Sequence, residues 1–385
     1  MTSGISTRRP VGAATCGSTL AAPAAIAVSA TTVLVATMVL VATSWTDYAG
    51  SIAAPAGKAV AGNVSGGVAA GNVPNNAFVG YVKPPSAQAP VHFATADWLR
   101  KPIASNPALD ANSATWVSHL SASGGQRIAN MYNFGVTLVP ASAITTSTPR
   151  YDVTFTEAGP WGADPYGTNT VAIPRGTTIP PGSDGHIAVM DPVTGQAYGI
   201  WQAKYDSATD TWSGSWGGRT PINGNGIDQT GSATAAGISR AAGVVTAAEF
   251  DAAVAANTGL SHALMFSTDI AGPGFVSPAI KSDGTNIAGV TTPIPQGYRI
   301  QLDPSINVDA IPGITPGEKV IAKTLQTHGA YVIDQGSARM AFAFETVPDA
   351  TSDSNPGAVY TNAGFAWDYY DMTNIPWSQL RVIAP

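Results

Sequence analysis

The sequence predicts an all-β domain, a β-sandwich of jelly-roll type with a few short helices, preceded by an export signal and a disordered linker. Charged residues make up only 11% of the chain, whereas 41 residues are glycine and 29 are proline, a composition that suits a turn-rich fold. From about residue 92 onward, short apolar or alternating runs are broken by Gly, Pro, Asn and Asp, which is typical of antiparallel strands joined by turns. We therefore expect residues 91–385 to form a single β-rich extracellular domain.

The first 45 residues have the pattern of an export signal. Arg8 and Arg9 precede an uncharged stretch from Leu20 to Trp45 that is dominated by Ala, Val, Leu and Thr. The paired arginines are a loose match to the twin-arginine route. The apolar run is also long enough to span a bilayer as an uncleaved anchor, so cleavage and anchoring both remain open. Either outcome places the domain outside the cell or on the outer face of the membrane, which it would contact only through this segment.

Residues 46–90 are predicted to form a disordered linker. They are rich in Ala, Gly, Pro, Val and Asn and show no sustained period of 2 or 3.6 residues. The single cysteine, Cys16, precedes the apolar run, so no disulfide is expected within the domain. The net charge of −6 comes without any run of Lys or Arg, which argues against nucleic acid as a partner.

Strands are predicted where apolar runs end at turn residues. The clearest case is a hairpin in which His186–Met190 and Gln196–Ala203 flank the sequence Asp-Pro-Val-Thr-Gly. Proline presets one turn dihedral, and glycine tolerates a positive one, so this turn is well specified. Six further strands are predicted, at Tyr151–Thr156, Thr211–Trp216, Ala263–Thr268, Gly297–Leu302, Ala330–Ile333 and Arg339–Phe344.

Three short helices are predicted between the strands. The first spans Asn112 to Leu120 and begins at good capping residues. The other two begin at capping boxes, in which a threonine is followed three residues later by a glutamate, Thr246 with Glu249 and Thr315 with Glu318.

Several blocks of the chain occur in an order that resembles a widespread group of secreted bacterial proteins. The blocks are a D-x-H strand with its hairpin and an aromatic second strand at 184–198, and the segments 98–120, 237–249, 297–302 and 334–337. The resemblance covers roughly residues 95 to 345. It implies a secreted single-domain protein. The group has no settled activity, so the resemblance assigns no catalytic residue.

Acid–base chemistry is predicted from scarce ionisable residues. Asp184 and His186 are one residue apart, so on a strand they would share a face about 6 to 7 Å apart. With Asp191 and His262 they form a candidate metal or proton-transfer site, and the alternative is that these residues are structural, with Asp191 stabilising the Asp-Pro turn. Glu157 is a further candidate acid, because glycan hydrolysis needs two carboxyl groups. No cofactor is predicted, since the chain lacks the His and Cys spacings of metal sites. The segment Gly237–Ala241 resembles a serine-hydrolase elbow only loosely and follows no apolar strand.

Substrate binding is predicted at aromatic residues near Glu157. Trp161, Tyr166 and Trp216 offer rings that stack on the apolar faces of sugars, and Asp334 is a candidate polar contact. The preferred hypothesis is therefore an extracellular glycoside hydrolase or polysaccharide lyase that acts on a polysaccharide or cell-wall glycan. The alternative is a non-catalytic β module that binds a glycan or another surface partner, and a purely structural surface protein is a third possibility.

Overall fold

The computed structural model describes residues 93–287 and 289–385, which belong to one compact unit. The predicted signal and linker, residues 1–45 and 46–90, lie outside the described residues. The described part consists mostly of β-sheets with a few short helices, which confirms the predicted fold class. None of its helices is long and apolar enough to cross a membrane.

Nineteen strands are numbered here in chain order. Their bounds are β1 Arg127–Asn130, β2 Val136–Val139, β3 Arg150–Tyr151, β4 Thr154–Phe155, β5 Val171–Ala172, β6 His186–Asp191, β7 Gln196–Trp201, β8 Lys204–Asp206, β9 Thr211–Gly214, β10 Trp216–Pro221, β11 Thr230–Gly231, β12 Leu264–Thr268, β13 Ala271–Phe275, β14 Ile294–Gln296, β15 Arg299–Leu302, β16 Ala330–Gln335, β17 Met340–Ala343, β18 Tyr370–Asp371 and β19 Leu380–Ile383.

Two large sheets organise the domain. The first has seven strands in the order β18-β1-β17-β12-β16-β15-β19, and the second has five in the order β11-β10-β7-β6-β2. Both sheets are mixed, because β1 pairs with β17, β12 with β16 and β2 with β6 in parallel. The expectation of a purely antiparallel body is therefore corrected.

The predicted hairpin is formed by β6 and β7, with Ile187 opposite Ile200 and Asp191 opposite Gln196. Asp191 Oδ1 accepts hydrogen bonds from the backbone N–H groups of Val193 (2.9 Å) and Thr194 (3.3 Å). Its Oδ2 accepts one from Arg150 at 2.7 Å. Asp191 therefore stabilises the turn, as in the structural alternative above.

The three predicted helices are present, and two further short ones flank them. Both capping boxes are formed: Thr246 and Thr315 accept hydrogen bonds from the backbone N–H of Glu249 and Glu318, whose carboxylates bond back to the threonine N–H. The helices are α1 Asp97–Arg100, α2 Ser113–Leu120, α3 Ala247–Ala256, α4 Pro316–Thr327 and α5 Ala358–Asn362.

Three apolar clusters form the core. One contains side chains of the seven-stranded sheet and of α2 to α5, such as Phe250, Leu325 and Phe342. A second joins the two large sheets, because Leu138 and Ala188 of the five-stranded sheet share it with Met265 and Ile333 of the other. The third covers the opposite face of the five-stranded sheet. Strand β6 is therefore buried on both faces, and its side chains alternate between the second and third clusters.

Thr315→Ala is expected to lower the free energy of unfolding by about 1 kcal/mol, because the hydroxyl that accepts the Glu318 N–H at 3.1 Å is lost. Urea denaturation measures the change. Thr327→Ala, at the exposed last residue of the same helix, is the matched control and should change stability by less than about 0.5 kcal/mol. Equal effects of the two substitutions would contradict the capping role.

Candidate functional site

The site is built around Arg240, a guanidinium buried beside the second core cluster. Only 5% of this residue is exposed, and its neighbours Ile238, Ala241 and Ala242 belong to that cluster. Burial lowers the pKa of the Arg240 guanidinium. The negative charges of Asp334, Asp184 and Asp228 act in the opposite direction but have a smaller effect. We call Asp184, His186, Asp228, Arg240 and Asp334 the Arg240 cluster.

Asp184 and His186 lie at the beginning of β6, but not as an alternating strand pair. Gly185 between them has φ +42°, so Asp184 belongs to the turn before the strand and His186 is the first strand residue. Both residues interact electrostatically with Arg240. Asp184 and His186 are therefore related through their shared interaction with Arg240. They are not related by alternation along a strand, as the sequence predicted.

His186 is buried, with 6% exposure, and its Nδ1 has no hydrogen-bond partner. Burial lowers its pKa well below the usual value, and the charge of Arg240 lowers it further, so the ring is neutral near pH 7. Buried polar atoms without partners are rare in folded proteins and call for an explanation such as a bound water or a catalytic role. His186 is thus a neutral histidine with one ring nitrogen, Nδ1, that has no partner among the described residues.

Asp334 lies on β16 where the pairing with β12 shifts register, opposite Ser267. Its Oδ1 accepts a hydrogen bond from the Ala235 N–H at 3.2 Å. Burial, together with the charges of Asp283 and Asp184, raises the pKa of Asp334 to about 8. Asp334 therefore holds its proton at neutral pH, unlike an aspartate in water.

Asp228 is the most enclosed carboxyl group of the cluster. Thr220 donates a short hydrogen bond to its Oδ1, and the Ser232 hydroxyl donates one to its Oδ2 at 2.6 Å. Burial raises the pKa of Asp228 to about 6, although these two donors and the charge of Lys281 act in the opposite direction. Sequence reasoning did not identify Asp228 or Arg240. For Arg240 the available signal was its position as a charged residue inside a stretch of Ala, Gly and Ile, in a chain with few charged residues.

An exposed tryptophan adjoins the Arg240 cluster. Trp161 is 57% exposed and stacks on Trp201, with ring centroids 5.9 Å apart and planes 15° apart. The indole N–H of Trp201 donates to Asp184 Oδ1 at 3.4 Å. The aromatic surface and the ionisable cluster are therefore connected through a single side chain.

Two of the predicted aromatic contacts are buried instead of surface-facing. Tyr166 is 1% exposed and donates its hydroxyl hydrogen to the Gly199 carbonyl at 2.9 Å. Trp216 is 7% exposed and packs edge-on against Trp161 and Phe155. Tyr166 is a core residue, and Trp216 is a buried side chain that packs against Trp161. The prediction that both rings face a ligand is therefore corrected.

Glu157 is attached to the tryptophan loop through its backbone. Its N–H donates to the Ser215 carbonyl at 3.0 Å, and its carbonyl accepts from the Trp161 N–H at 2.9 Å. No hydrogen bond or ion pair among the described residues joins the Glu157 carboxylate to the Arg240 cluster. Glu157 therefore orders the loop that carries Trp161.

His262 belongs to a separate buried group. Its Nε2 lies 3.1 Å from Glu249 Oε2, and its Nδ1 lies 2.9 Å from its neighbour's carbonyl, that of Ala263. The negative charge of Glu249 raises the pKa of His262 against the opposing effect of burial, which is larger than any other single influence. Burial raises the pKa of nearby Glu345, which accepts the Ala247 N–H at 2.8 Å, to about 7. The structure does not bring His262 to His186. It places His262 among groups that stabilise the beginning of α3.

Two cavities in the described part lie away from the Arg240 cluster. One, of about 480 Å³, is lined by Tyr132, Asn133, Pro181 and residues 351–354. The other, of about 140 Å³, is lined by Thr115, Trp116, His119 and residues 270 and 289–292. The same described residues contain no group of three or more His, Cys, Asp or Glu side chains placed to hold a metal ion.

Comparison of the chain with protein-family models, with curated proteins and with solved structures gives no match.

The folded domain is expected to lose stability as the pH rises from 7 to 8.5. The pKa of Asp334 in the folded state is about 8 and that of Glu345 about 7, both above the values near 4 of the unfolded chain. The folded state thus binds more protons in this window, and stability falls as they are released. The expected loss is on the order of 1 to 2 kcal/mol, measured by urea denaturation at several pH values.

Asp334→Asn should remove most of this pH dependence, whereas Asp251→Asn, an exposed aspartate on α3, should leave it unchanged. A dependence that is equally steep in both variants would show that Asp334 is not the titrating group.

Proposed function

We propose that this chain is an exported carbohydrate-active enzyme that cleaves a polysaccharide or cell-wall glycan, with hydrolysis as the favoured reaction. One observation carries the proposal: Trp201 donates a hydrogen bond to Asp184 while its ring lies under the exposed Trp161. A sugar ring stacked on Trp161 would thereby lie beside carboxyl groups of different acidity. An aromatic platform and paired carboxyl groups are what glycan cleavage requires.

Asp334 and Asp184 are the proposed carboxyl pair. Asp334 carries a proton up to about pH 8, so it can act as the general acid that protonates the leaving-group oxygen of a glycosidic bond. Burial raises the pKa of Asp184, while the Trp201 N–H and the charge of Arg240 act in the opposite direction and favour its ionised form. Asp184 is then the partner that attacks the sugar or activates a water molecule.

A lyase reaction is the second chemical possibility, and His186 is the observation that favours it. A lyase removes a proton from a ring carbon and needs a neutral base, and the His186 ring is neutral with an unpaired Nδ1. New reducing ends without unsaturation indicate hydrolysis, whereas unsaturated products indicate elimination.

A non-catalytic binding module remains the alternative function. It is favoured by the exposure of Trp161 and by the position of both cavities away from the Arg240 cluster. Such a module would bind a glycan through Trp161 and would not require Asp184 or Asp334.

Asp334→Asn and Asp184→Asn are each expected to reduce glycan cleavage by about 100-fold or more, because one loses the acid and the other its partner. The assay is a panel of polysaccharides incubated with the full chain, with reducing ends and absorbance of unsaturated products recorded. Asp251→Asn is the control for an exposed aspartate. Full activity in both variants would exclude the enzyme proposal, and glycan binding without cleavage would favour the binding module.

Trp161→Ala is expected to weaken glycan binding about tenfold, since a stacked ring contributes on the order of 1 kcal/mol or more. Trp367→Ala is the matched control, because Trp367 is similarly exposed at 52% and packs against Tyr370 on another part of the surface. The measurement is KM for a cleaved polysaccharide, or retention on it in affinity electrophoresis. A loss that is equal in both variants would contradict the platform role of Trp161.

A further inference from the structure

Arg240 has no hydrogen-bond acceptor, although it is almost completely buried. A guanidinium carries five N–H donors, and buried arginines are normally paired. None of the hydrogen bonds within residues 93–287 and 289–385 involves the Arg240 side chain, and its Nε is enclosed without a partner. Leaving a buried donor unsatisfied is costly, and Arg240 differs from most buried arginines because its whole side chain has no hydrogen-bond partner among the described residues.

The neighbouring carboxyl groups accept no hydrogen bond from Arg240 among the described residues, and most of their bonded oxygens are used by other donors. Asp228 is held by Thr220 and Ser232, and Asp184 accepts from Trp201. Asp334 accepts from the Ala235 N–H. In their ionised forms these groups favour the charged form of Arg240, while no hydrogen bond among the described residues uses its side-chain N–H donors.

The backbone fixes Arg240 in this position. A Cβ atom at position 199 would lie 3.0 Å from Arg240 Cβ, so the absence of a side chain at Gly199 on β7 permits the close approach. The preceding residue, Ser239, donates its N–H to the Gly226 carbonyl at 2.9 Å. The guanidinium is therefore held by main-chain contacts of its own segment and not by side-chain pairing.

A second cation interacts with two of the carboxyl groups that also interact with Arg240. Lys281 is exposed, and its ammonium takes part in no hydrogen bond or ion pair among the described residues. Its electrostatic interactions are with Asp228, Asp334 and Asp283. A ligand anion near Asp334 would thus be subject to the positive charges of both Arg240 and Lys281.

We propose that Arg240 binds the carboxylate of an acidic sugar, so that the substrate class is a uronic-acid-containing glycan, with Lys281 as the second cation. The planar guanidinium matches a carboxylate through two parallel N–H donors. A singly charged carboxylate also meets less repulsion from Asp184 than a doubly charged group would. This inference rests on the proposed function, because it uses the same site.

The test compares an acidic ligand with its uncharged counterpart. Tetramers of galacturonate and of glucuronate, and the methyl esters of each, are titrated into the full chain at pH 6 and low salt by calorimetry. At least one acid is expected to bind ten times more tightly than its ester. Equal binding of acid and ester, or no binding of either acid, would overturn the inference, and so would tighter binding of a sulfated tetrasaccharide.

Three variants test the residues. Arg240→Lys keeps the charge but loses the paired donors and should weaken acid binding at least tenfold. Lys281→Met should weaken it several-fold, whereas Lys101→Met, with the same charge change at another exposed lysine, should not. If Arg240→Lys fails to fold, as judged by circular dichroism, Lys281→Met and the ester comparison decide alone. Unchanged acid binding in Lys281→Met and Arg240→Lys would overturn the assignment.

The outcomes separate this inference from the proposed function. Cleavage of a neutral glycan that depends on Asp334 would retain the enzyme and overturn the acidic substrate. Charge-dependent binding of a uronate without cleavage would support the Arg240 assignment and remove the catalytic proposal.

Discussion

The positive charge of Arg240 inside an apolar layer is the constraint on which the candidate site depends. The segment that carries it packs into the core shared by the two large sheets, so its position is set by the fold as a whole. An isolated charge in such a place would be very costly, and nearby carboxylates offset that cost. The same low-dielectric surroundings raise the pKa of Asp334 and Asp228 and lower that of His186. Burial therefore has the largest effect on the protonation of the cluster, and the charge of Arg240 modifies it.

Local features of the fold were predictable from the sequence, whereas strand pairing was not. Turn residues located the β6–β7 hairpin, and capping boxes located α3 and α4, because these signals act over a few residues. The parallel pairing of Val136–Val139 with His186–Val189 joins segments about fifty residues apart, and no local pattern specifies it. The sequence of β6 also lacks the alternation of apolar and polar residues that identifies a half-exposed strand, because apolar clusters cover both of its faces.

The candidate site was predictable in part for the same reason. Asp184, His186 and Asp334 were identified because ionisable residues are scarce in this chain. Arg240 was missed, since the segment around it resembled only a weak serine motif, and Ser239 is buried. Trp201 was not among the predicted binding residues, yet it is the side chain that links Trp161 to Asp184. Which tryptophan is exposed depends on tertiary packing, so residue type alone could not decide between Trp161 and Trp216.

Buried ionisable groups with hydrogen-bond partners in the protein have structural roles, whereas those without partners are candidates for binding a ligand. His262 and Glu249 satisfy each other, and Glu249 also bonds the backbone at the beginning of α3, so this pair is complete within the protein. Arg240 and His186 are as deeply buried, but each has nitrogen atoms without any acceptor or donor partner. Because folded proteins rarely leave such groups unpaired, the unpaired ones indicate where an external partner is needed. Other buried atoms among the described residues, such as His328 Nδ1 and Gln296 Oε1, are also unpaired. The Arg240 cluster differs from them because its unpaired nitrogens lie among several carboxyl groups and beside the exposed Trp161, whereas His262 is paired within the protein.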